Sequence, residues 1–285
     1  MSPLEKVFFL KNMCHTGTSN GGKKWRMVLF QVDSIITMNM RKTLLHIMAV
    51  VLIGLTSTVT LNARTSGDDD DYKTKTYDVG TISSIDANGL FSVIYEQTSG
   101  ETDVSVKAKD KVFECLDVKN DDGMLVLKLN LKDGKSYTLP PIEVKVRTKH
   151  LTYVELSGSG SFTCESGIKT ESLKIRSSGA GSVEINDLSA KNSIEIMTSG
   201  AGKVNLDGAK AKDLSVEMNG AGKVEVQGIE SKTATAIIRG AGKITLGGKT
   251  GNAIYKLNGV GVIDAESLKA DNVRSDRAGI GSIRY

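Results

Sequence analysis

Residues 173–185 read LKIRSSGAGSVEI, and residues 194–206 repeat the arrangement as IEIMTSGAGKVNL. In both stretches apolar and polar side chains alternate on each side of a Gly-Ala-Gly step, and a period of two residues is typical of a β-strand. Glycine permits a positive φ and a close approach of neighbouring backbones. The sequence therefore predicts two strands joined by a bend at the Gly-Ala-Gly step.

The Gly-x-Gly step recurs seven times, and successive first glycines are 21, 21, 20, 20, 19 and 20 residues apart. These glycines are Gly158, Gly179, Gly200, Gly220, Gly240, Gly259 and Gly279. A unit of about 20 residues buries too little apolar surface to fold alone, so neighbouring units must stack and share a core. Over residues 151–285 we therefore predict an all-β fold, a single-stranded parallel β-helix or β-solenoid with coils of about 20 residues.

The last coil departs from the pattern. Ser275 and Arg277 take positions that are apolar in the earlier coils. An open solenoid end exposes an unpaired strand edge that invites aggregation. We interpret residues 271–285 as a polar C-terminal cap, within which polar side chains make that edge less prone to association.

Residues 77–150 are rich in strand-forming residues but less regular. Turn signals at residues 120–123 and 132–135 favour hairpins. This N-terminal region could form a separate β-sandwich-like layer or irregular β coils of the same solenoid. We favour the second, because Leu151 enters the repeat without a linker.

The amino-terminal part of the chain has the pattern of an export signal. Arg41 and Lys42 precede an apolar run over residues 44–55, and a small residue, Ala63, ends the segment. This order of charged, apolar and small residues predicts a signal peptide over residues 38–63 that is cleaved after Ala63. A retained membrane anchor is the alternative, but the apolar run is short for a membrane span.

The residues on either side of this signal carry no folded pattern. We interpret residues 1–37 as an upstream extension, with translation beginning at Met38 or Met40, and a long leader is the alternative. Residues 64–76 contain a run of aspartates and are predicted to be an acidic, solvated linker. We predict no transmembrane span in the mature chain.

The formal charge of +4 is unevenly distributed. Residues 1–63 hold 7 Lys or Arg and 2 Asp or Glu, so the remaining residues carry a net charge near −1. Neither a basic surplus nor a basic stripe is evident in the mature sequence, and this argues against a nucleic-acid partner.

Two outward columns are predicted after the Gly-x-Gly step. Lysines stand at the same repeat position in three coils: Lys203, Lys223 and Lys243. Two positions further on, a second column contains Glu184, Glu225 and Asp264, interrupted by Asn205 and Thr245. The lysines could form a binding face for an acidic polymer. Alternatively, the columns form a solvated face with ion pairs between coils.

The sequence offers no constellation that would carry catalysis. His150 is the only histidine of the mature chain and has no Cys or His partners at metal-ligand spacing. Cys115 and Cys164 could form one disulfide in an exported protein, but Cys164 falls in an inward column and could equally be a buried thiol. We predict no catalytic residues, no metal and no cofactor.

The motifs together resemble one family. The opening Val79-Gly80-Thr81-Ile82-Ser83-Ser84-Ile85, Phe91-Ser92-Val93, the turn Asp122-Gly123-Met124-Leu125 and the Ser178-Gly179-Ala180-Gly181 ladder are similar to the head GIN domain family of autotransporter-type adhesins. The resemblance covers residues 77–285. It implies a β-helix-like fold and a surface or adhesive role in exported proteins of Bacteroides-like bacteria, and it supplies no catalytic residues.

Two functions follow as hypotheses. The first is an exported, non-catalytic β-solenoid, periplasmic or at the cell surface, that binds an envelope or extracellular protein or glycan, with self-association left open. The second is a polysaccharide-acting β-helix enzyme, a lyase or hydrolase, which would need clustered carboxylates.

Overall fold

The computed structural model describes residues 72–131 and 140–285, which belong to one compact unit, and over these ranges the chain is almost entirely β-strand. The predicted extension over residues 1–37, the signal peptide over residues 38–63 with its cleavage at Ala63, and residues 64–71 lie outside the described residues. Among the described residues, none forms a helix long and apolar enough to span a membrane.

Seventeen strands and a single 3-10 turn, at Asp110–Val112, make up this fold in the described ranges. The strands are β1 (Tyr72–Tyr77), β2 (Ser84–Asn88), β3 (Phe91–Gln97), β4 (Asp103–Lys109), β5 (Leu116–Asp121), β6 (Met124–Leu129), β7 (Ile142–Thr148), β8 (Tyr153–Leu156), β9 (Ser161–Cys164), β10 (Ile168–Ser177), β11 (Ser182–Thr198), β12 (Lys203–Lys210), β13 (Asp213–Met218), β14 (Lys223–Ile238), β15 (Ala241–Leu257), β16 (Val260–Arg277) and β17 (Ile280–Arg284).

Every strand pairing from β8 to β17 is parallel, so the predicted β-solenoid is confirmed. Six coils contribute to three sides, whereas the first two coils and the last coil contribute, in the described residues, to the first and second sides. The first side comprises residues 124–128, 84–88, 153–156, 173–177, 193–198, 213–218, 233–238, 252–257 and 272–277. The second side comprises residues 142–148, 91–97, 161–164, 182–186, 203–207, 223–226, 241–246, 260–264 and 280–284. The third side comprises residues 168–170, 188–190, 209–210, 229–231, 248–250 and 267–270.

The third side was not predicted from the sequence, and it is formed by short segments such as residues 209–210. These segments pair with their neighbours above and below and bury residues such as Leu188 and Ile229. The corner between the second and third sides holds a column of positive-φ residues: Gly167, Asp187, Gly208 and Gly228. A left-handed residue at this corner suits glycine because it lacks a Cβ.

The predicted Gly-x-Gly steps form the corner between the first and second sides. The first glycine of each of the seven Gly-x-Gly steps has a negative or extended φ. The expectation that these glycines are needed for a positive φ is therefore wrong. The reason for glycine is close approach: a Cβ on Gly200 would lie 1.9 Å from the carbonyl oxygen of Gly179. The N–H of Ala201 donates to that oxygen at 3.0 Å. Any side chain at the glycine would push the coils apart.

The core follows the alternation read from the sequence. Inward columns on the first and second sides are fully buried, as at Ile196 and Val204. Aromatic rings belong to this core: Tyr95 stacks on Phe162 with ring centroids 5.9 Å apart, and Tyr255 is buried. Cys164 is also buried, and both it and Cys115 are free, so they form no disulfide.

The N-terminal region stacks on the repeat. Strands β2 and β3 pair in parallel with β8 and β9, and β6 and β7 pair in parallel with β2 and β3. Residues 84–131 and 140–148 thus contribute irregular coils to the same solenoid.

Antiparallel strands accompany these first coils. Strand β4 pairs with β7, β1 pairs with β4, and β5 and β6 form the hairpin expected from residues 120–123, with Asp122 and Gly123 both at positive φ. Residues 72–76 were expected in the linker, and that expectation is wrong because they belong to β1.

The last coil continues the parallel stack while its core positions turn polar. Ser275 pairs in register with Tyr255, and Arg277 pairs with Leu257. Both side chains are exposed, and the Tyr285 ring lies 5.6 Å from the Tyr255 ring, centroid to centroid. Arg277 donates a hydrogen bond from Nη1 to the carbonyl oxygen of Gly281 at 2.8 Å.

Gly200→Ala should destabilise the fold by about 3 kcal/mol or more, because the new Cβ would meet backbone atoms of the preceding coil. Gly100→Ala is the matched control, since its Cβ would meet nothing closer than Thr98 Oγ1 at 3.4 Å and its cost should stay within about 0.5 kcal/mol. Urea unfolding of both variants measures the difference. Equal free energies of unfolding would contradict the close-approach argument.

Candidate functional site

The lysine column of the second side is assembled as predicted. Lys203, Lys223 and Lys243 are register partners in successive coils. The adjacent column, two positions further on, contains Glu225 and Asp264 as expected. Its other members in register are Glu184, Asn205 and Thr245.

Ion pairs neutralise much of this lysine column. Lys223 Nζ lies 2.7 Å from Glu225, and Lys243 Nζ lies 2.7 Å from Asp264 in the next coil. The hydrogen bond from Lys223 lowers the pKa of Glu225, to which Lys203 adds a weaker attraction. The hydrogen bond from Lys243 likewise lowers the pKa of Asp264. The second side is therefore close to charge balance.

Lys243→Gln should raise the pKa of Asp264 toward its ordinary value, because the main cause of the lowering is removed. A lowered carboxyl pKa stabilises the fold above the unfolded pKa, and this contribution is lost as the pH falls through the folded pKa. NMR titration of the side-chain carboxyl carbon measures the change. Lys203→Gln is the control and should leave the Asp264 titration unaltered. An unchanged titration in Lys243→Gln would disprove the pairing.

The third side carries a basic column that the sequence analysis did not find. Its outward residues in register are Lys169, Ser189, Lys210, Glu230, Lys249 and Lys269. The expectation of no basic stripe is therefore wrong. The stripe was missed because each segment of this side has only two to four residues, too few to show strand alternation.

Ion pairs neutralise few of the positive charges in this lysine stripe. Lys210 Nζ lies 3.1 Å from Glu230. Among the described residues, no carboxylate lies within ion-pair distance of Lys169, Lys249 or Lys269. The third side therefore presents four lysines against one glutamate, in contrast to the balanced second side.

An open groove of about 970 Å³ lies across the first coils of the third side. Three lysines line it, Lys149, Lys169 and Lys210, and its one carboxylate is Asp187. Its polar lining also includes Gln97, Thr98, Ser99, His150, Ser166 and Ser189. The groove thus combines a positive charge with several hydroxyl and amide groups.

Gln97 holds the entrance of this groove together. Its Nε2 donates to the carbonyl oxygens of Lys149 and Lys169, each at 2.8 Å, and its Oε1 accepts the Lys169 N–H at 2.7 Å. The side-chain amide of Gln97 thus makes the hydrogen bonds that a backbone peptide group of a neighbouring strand would make with the first segment of the third side. Lys149 and Lys169 are thereby held next to each other.

Gln97→Ala should speed amide hydrogen exchange at Lys169 and cost about 1 kcal/mol of stability, because the Lys169 backbone loses its partners. Hydrogen exchange followed by NMR measures the first effect. Ser99→Ala is the control at the same exposed loop and should exchange like the parent protein. Identical exchange in both variants would argue against the bridging role.

A second cluster lies on the first side, where Asp86 and Glu155 are register partners in β2 and β8. Burial raises the pKa of Asp86; Glu155 raises it further, and Lys128, with Nζ at 3.9 Å, opposes the shift. Tyr153 donates its hydroxyl to Glu155 Oε2 at 2.5 Å. This pair was not predicted, because the two residues are far apart in sequence and Asp86 lies in the irregular N-terminal region, outside the repeat.

The remaining predicted candidates form no further site in the described part of the chain. His150 is exposed at the rim of the groove, and no group of three or more His, Cys, Asp or Glu side chains there is arranged to hold a metal ion.

Solved structures share this fold. A crystal structure described as a "putative adhesin" from Bacteroides fragilis matches with a TM-score of 0.68 and 24% sequence identity, covering 74% of this chain and 95% of that chain. A "putative adhesin" from Parabacteroides distasonis matches with a TM-score of 0.62 and 18% identity, covering 74% and 95%. A protein of the same species described as a "putative lipid binding protein" matches at 0.56 and 20%, covering 75% and 96%.

The comparison with curated proteins found no match. The model of one family, described as "Putative auto-transporter adhesin, head GIN domain", matches residues 82–211 and 190–285. These two matches include both the irregular first coils and the regular repeat, in agreement with the motifs read from the sequence. The chain therefore belongs to the head GIN domain family of adhesin-type proteins.

Proposed function

We propose that the protein is an exported, non-catalytic β-solenoid that binds a partner at the cell envelope. The observation that carries this proposal is the exact register of the outward columns, which holds side chains such as Lys203 and Lys223 in fixed rows along a stiff wall. A surface of this kind needs little ordering on binding, which reduces the entropic cost of association. Membership of an adhesin-type family supports the same function.

Two surfaces are suited to make the contact. They are alternatives: the contact is made either by the lysine column of the second side at Lys203, Lys223 and Lys243 or by the lysine stripe of the third side. The partner would be an envelope or extracellular protein or glycan. The described body is close to neutral overall, so attraction would come from these local rows rather than from net charge.

Polysaccharide cleavage is the second candidate, and the Asp86–Glu155 pair favours it. An acid–base mechanism needs paired carboxyl groups, and here Asp86, whose pKa burial raises, is the register partner of Glu155 and lies near Lys128. The pair lies on a strand face, however, and lines none of the grooves described for this fold. Binding without turnover is therefore the better supported function.

Binding to cells tests the main proposal. Purified protein should bind saturably to intact cells from which its gene has been deleted, measured by flow cytometry, and protease shaving of intact producing cells should show whether it is exposed. In a polygalacturonate depolymerisation assay with Ca²⁺ we expect no turnover. Turnover that is abolished by Asp86→Asn or Glu155→Gln would replace the binding function with the enzymatic one.

A further inference from the structure

We propose that the third side of the solenoid is a binding track for a linear polysaccharide that carries carboxylates, with the groove at Lys149, Lys169 and Lys210 as its first part. The inference deepens the proposed binding function and rests on it, because it names one surface and one class of ligand.

The spacing of the lysines is the first argument. Lys169, Lys210 and Lys249 lie at every second coil in register, and Lys269 follows one coil later. Neighbouring parallel strands are about 4.8 Å apart, so the first three cations stand roughly 10 Å apart along the solenoid axis. A straight row of cations at regular steps matches a linear polymer with repeated anionic groups.

The lack of compensation is the second argument. On the second side, Lys223 and Lys243 each face a carboxylate, whereas Lys169 and Lys249 have none within ion-pair distance among the described residues. Exposed lysines left without counter-charges keep their attraction for an anionic ligand. This attraction should weaken with ionic strength because salt screens exposed charges.

The shape of the surface is the third argument. The groove draws residues from several successive coils and therefore runs along the axis, as a polymer chain would. A second open depression of about 410 Å³ continues the track; Lys249 and Lys269 line it together with Ser231 and Thr250, and the carboxylates of Glu230 and Asp271 also lie at its wall. Hydroxyls from Ser166 and Ser189 in the groove can hydrogen-bond to sugar hydroxyls.

The lining argues against the other polyanions. Among the described residues that line the groove there is no Phe, Tyr or Trp ring to stack on successive bases, the single imidazole is that of His150 at the rim, and there is no Arg to bind phosphate or base edges in a bidentate manner. A membrane surface is flat and could not follow the lining into the groove. A carboxylated glycan offers carboxylates to the lysines of the groove and sugar hydroxyls to its serine and threonine side chains.

The test compares two charge-matched variants. The first carries Lys169→Gln, Lys210→Gln and Lys249→Gln on the third side; the second carries Lys203→Gln, Lys223→Gln and Lys243→Gln on the second side. Both lose the same charge, and thermal unfolding checks that each is folded. Binding of polygalacturonate, and of the same polymer with its carboxylates methyl-esterified, is measured by biolayer interferometry at low and high salt.

We expect the parent protein to bind polygalacturonate in a salt-dependent manner and to bind the esterified polymer weakly. The third-side variant should lose about tenfold or more in affinity, and the second-side variant should stay within about twofold. If the triple variant does not fold, Lys169→Gln with Lys249→Gln serves instead, because neither residue has an ion pair to lose within residues 72–131 and 140–285.

Three results would overturn the inference: no binding of polygalacturonate, an equal loss in both variants, or equally tight binding of duplex DNA or of anionic phosphatidylserine vesicles. Cell binding separates this failure from that of the proposed function. Protein that binds cells but not polygalacturonate would retain the adhesive function and lose the polysaccharide track.

Discussion

The structure depends on backbone hydrogen bonds between coils that are stacked in exact register. The N–H of Ala180 donates to the carbonyl oxygen of Gly158 at 2.9 Å, and the N–H of Ala221 donates to Gly200 at the same distance. Such contacts require that equivalent residues meet in every coil. The same close approach between backbones therefore recurs from coil to coil. Glycine solves it at the first corner because a carbonyl occupies the space that a Cβ would need.

Register also explains how much could be predicted from the sequence. The alternation around residues 173–185 and the Gly-x-Gly spacing were sufficient to predict the stacking and the lysine column at Lys203. The third side was not predictable in this way, because two to four residues are too few to display a period of two. The pair of Asp86 and Glu155 could not be found either, since only the stacking of an irregular coil on the repeat brings them together.

Stacking in register places like charges above one another, and the two lysine rows meet this cost differently. Two unit charges about 5 Å apart in water repel by roughly 1 kcal/mol before screening. On the second side this repulsion is offset by Glu225 and Asp264 in the neighbouring column. On the third side the charges alternate with Ser189 and Glu230 before Lys249 and Lys269 meet. A row that is spaced out rather than neutralised keeps its field available to a ligand.

Coil length varies from 19 to 21 residues, yet the outward columns stay aligned because the variation is confined to corners. Register shifts fall between Thr170 and Ser172 and between Val226 and Ile229, where one side gives way to the next. A slip of one residue within a side would turn its apolar column outward and expose the core. The burial of one face of each strand therefore fixes the alignment of the opposite face. The positions of the lysines in each row are set in this way by the packing of the core side chains.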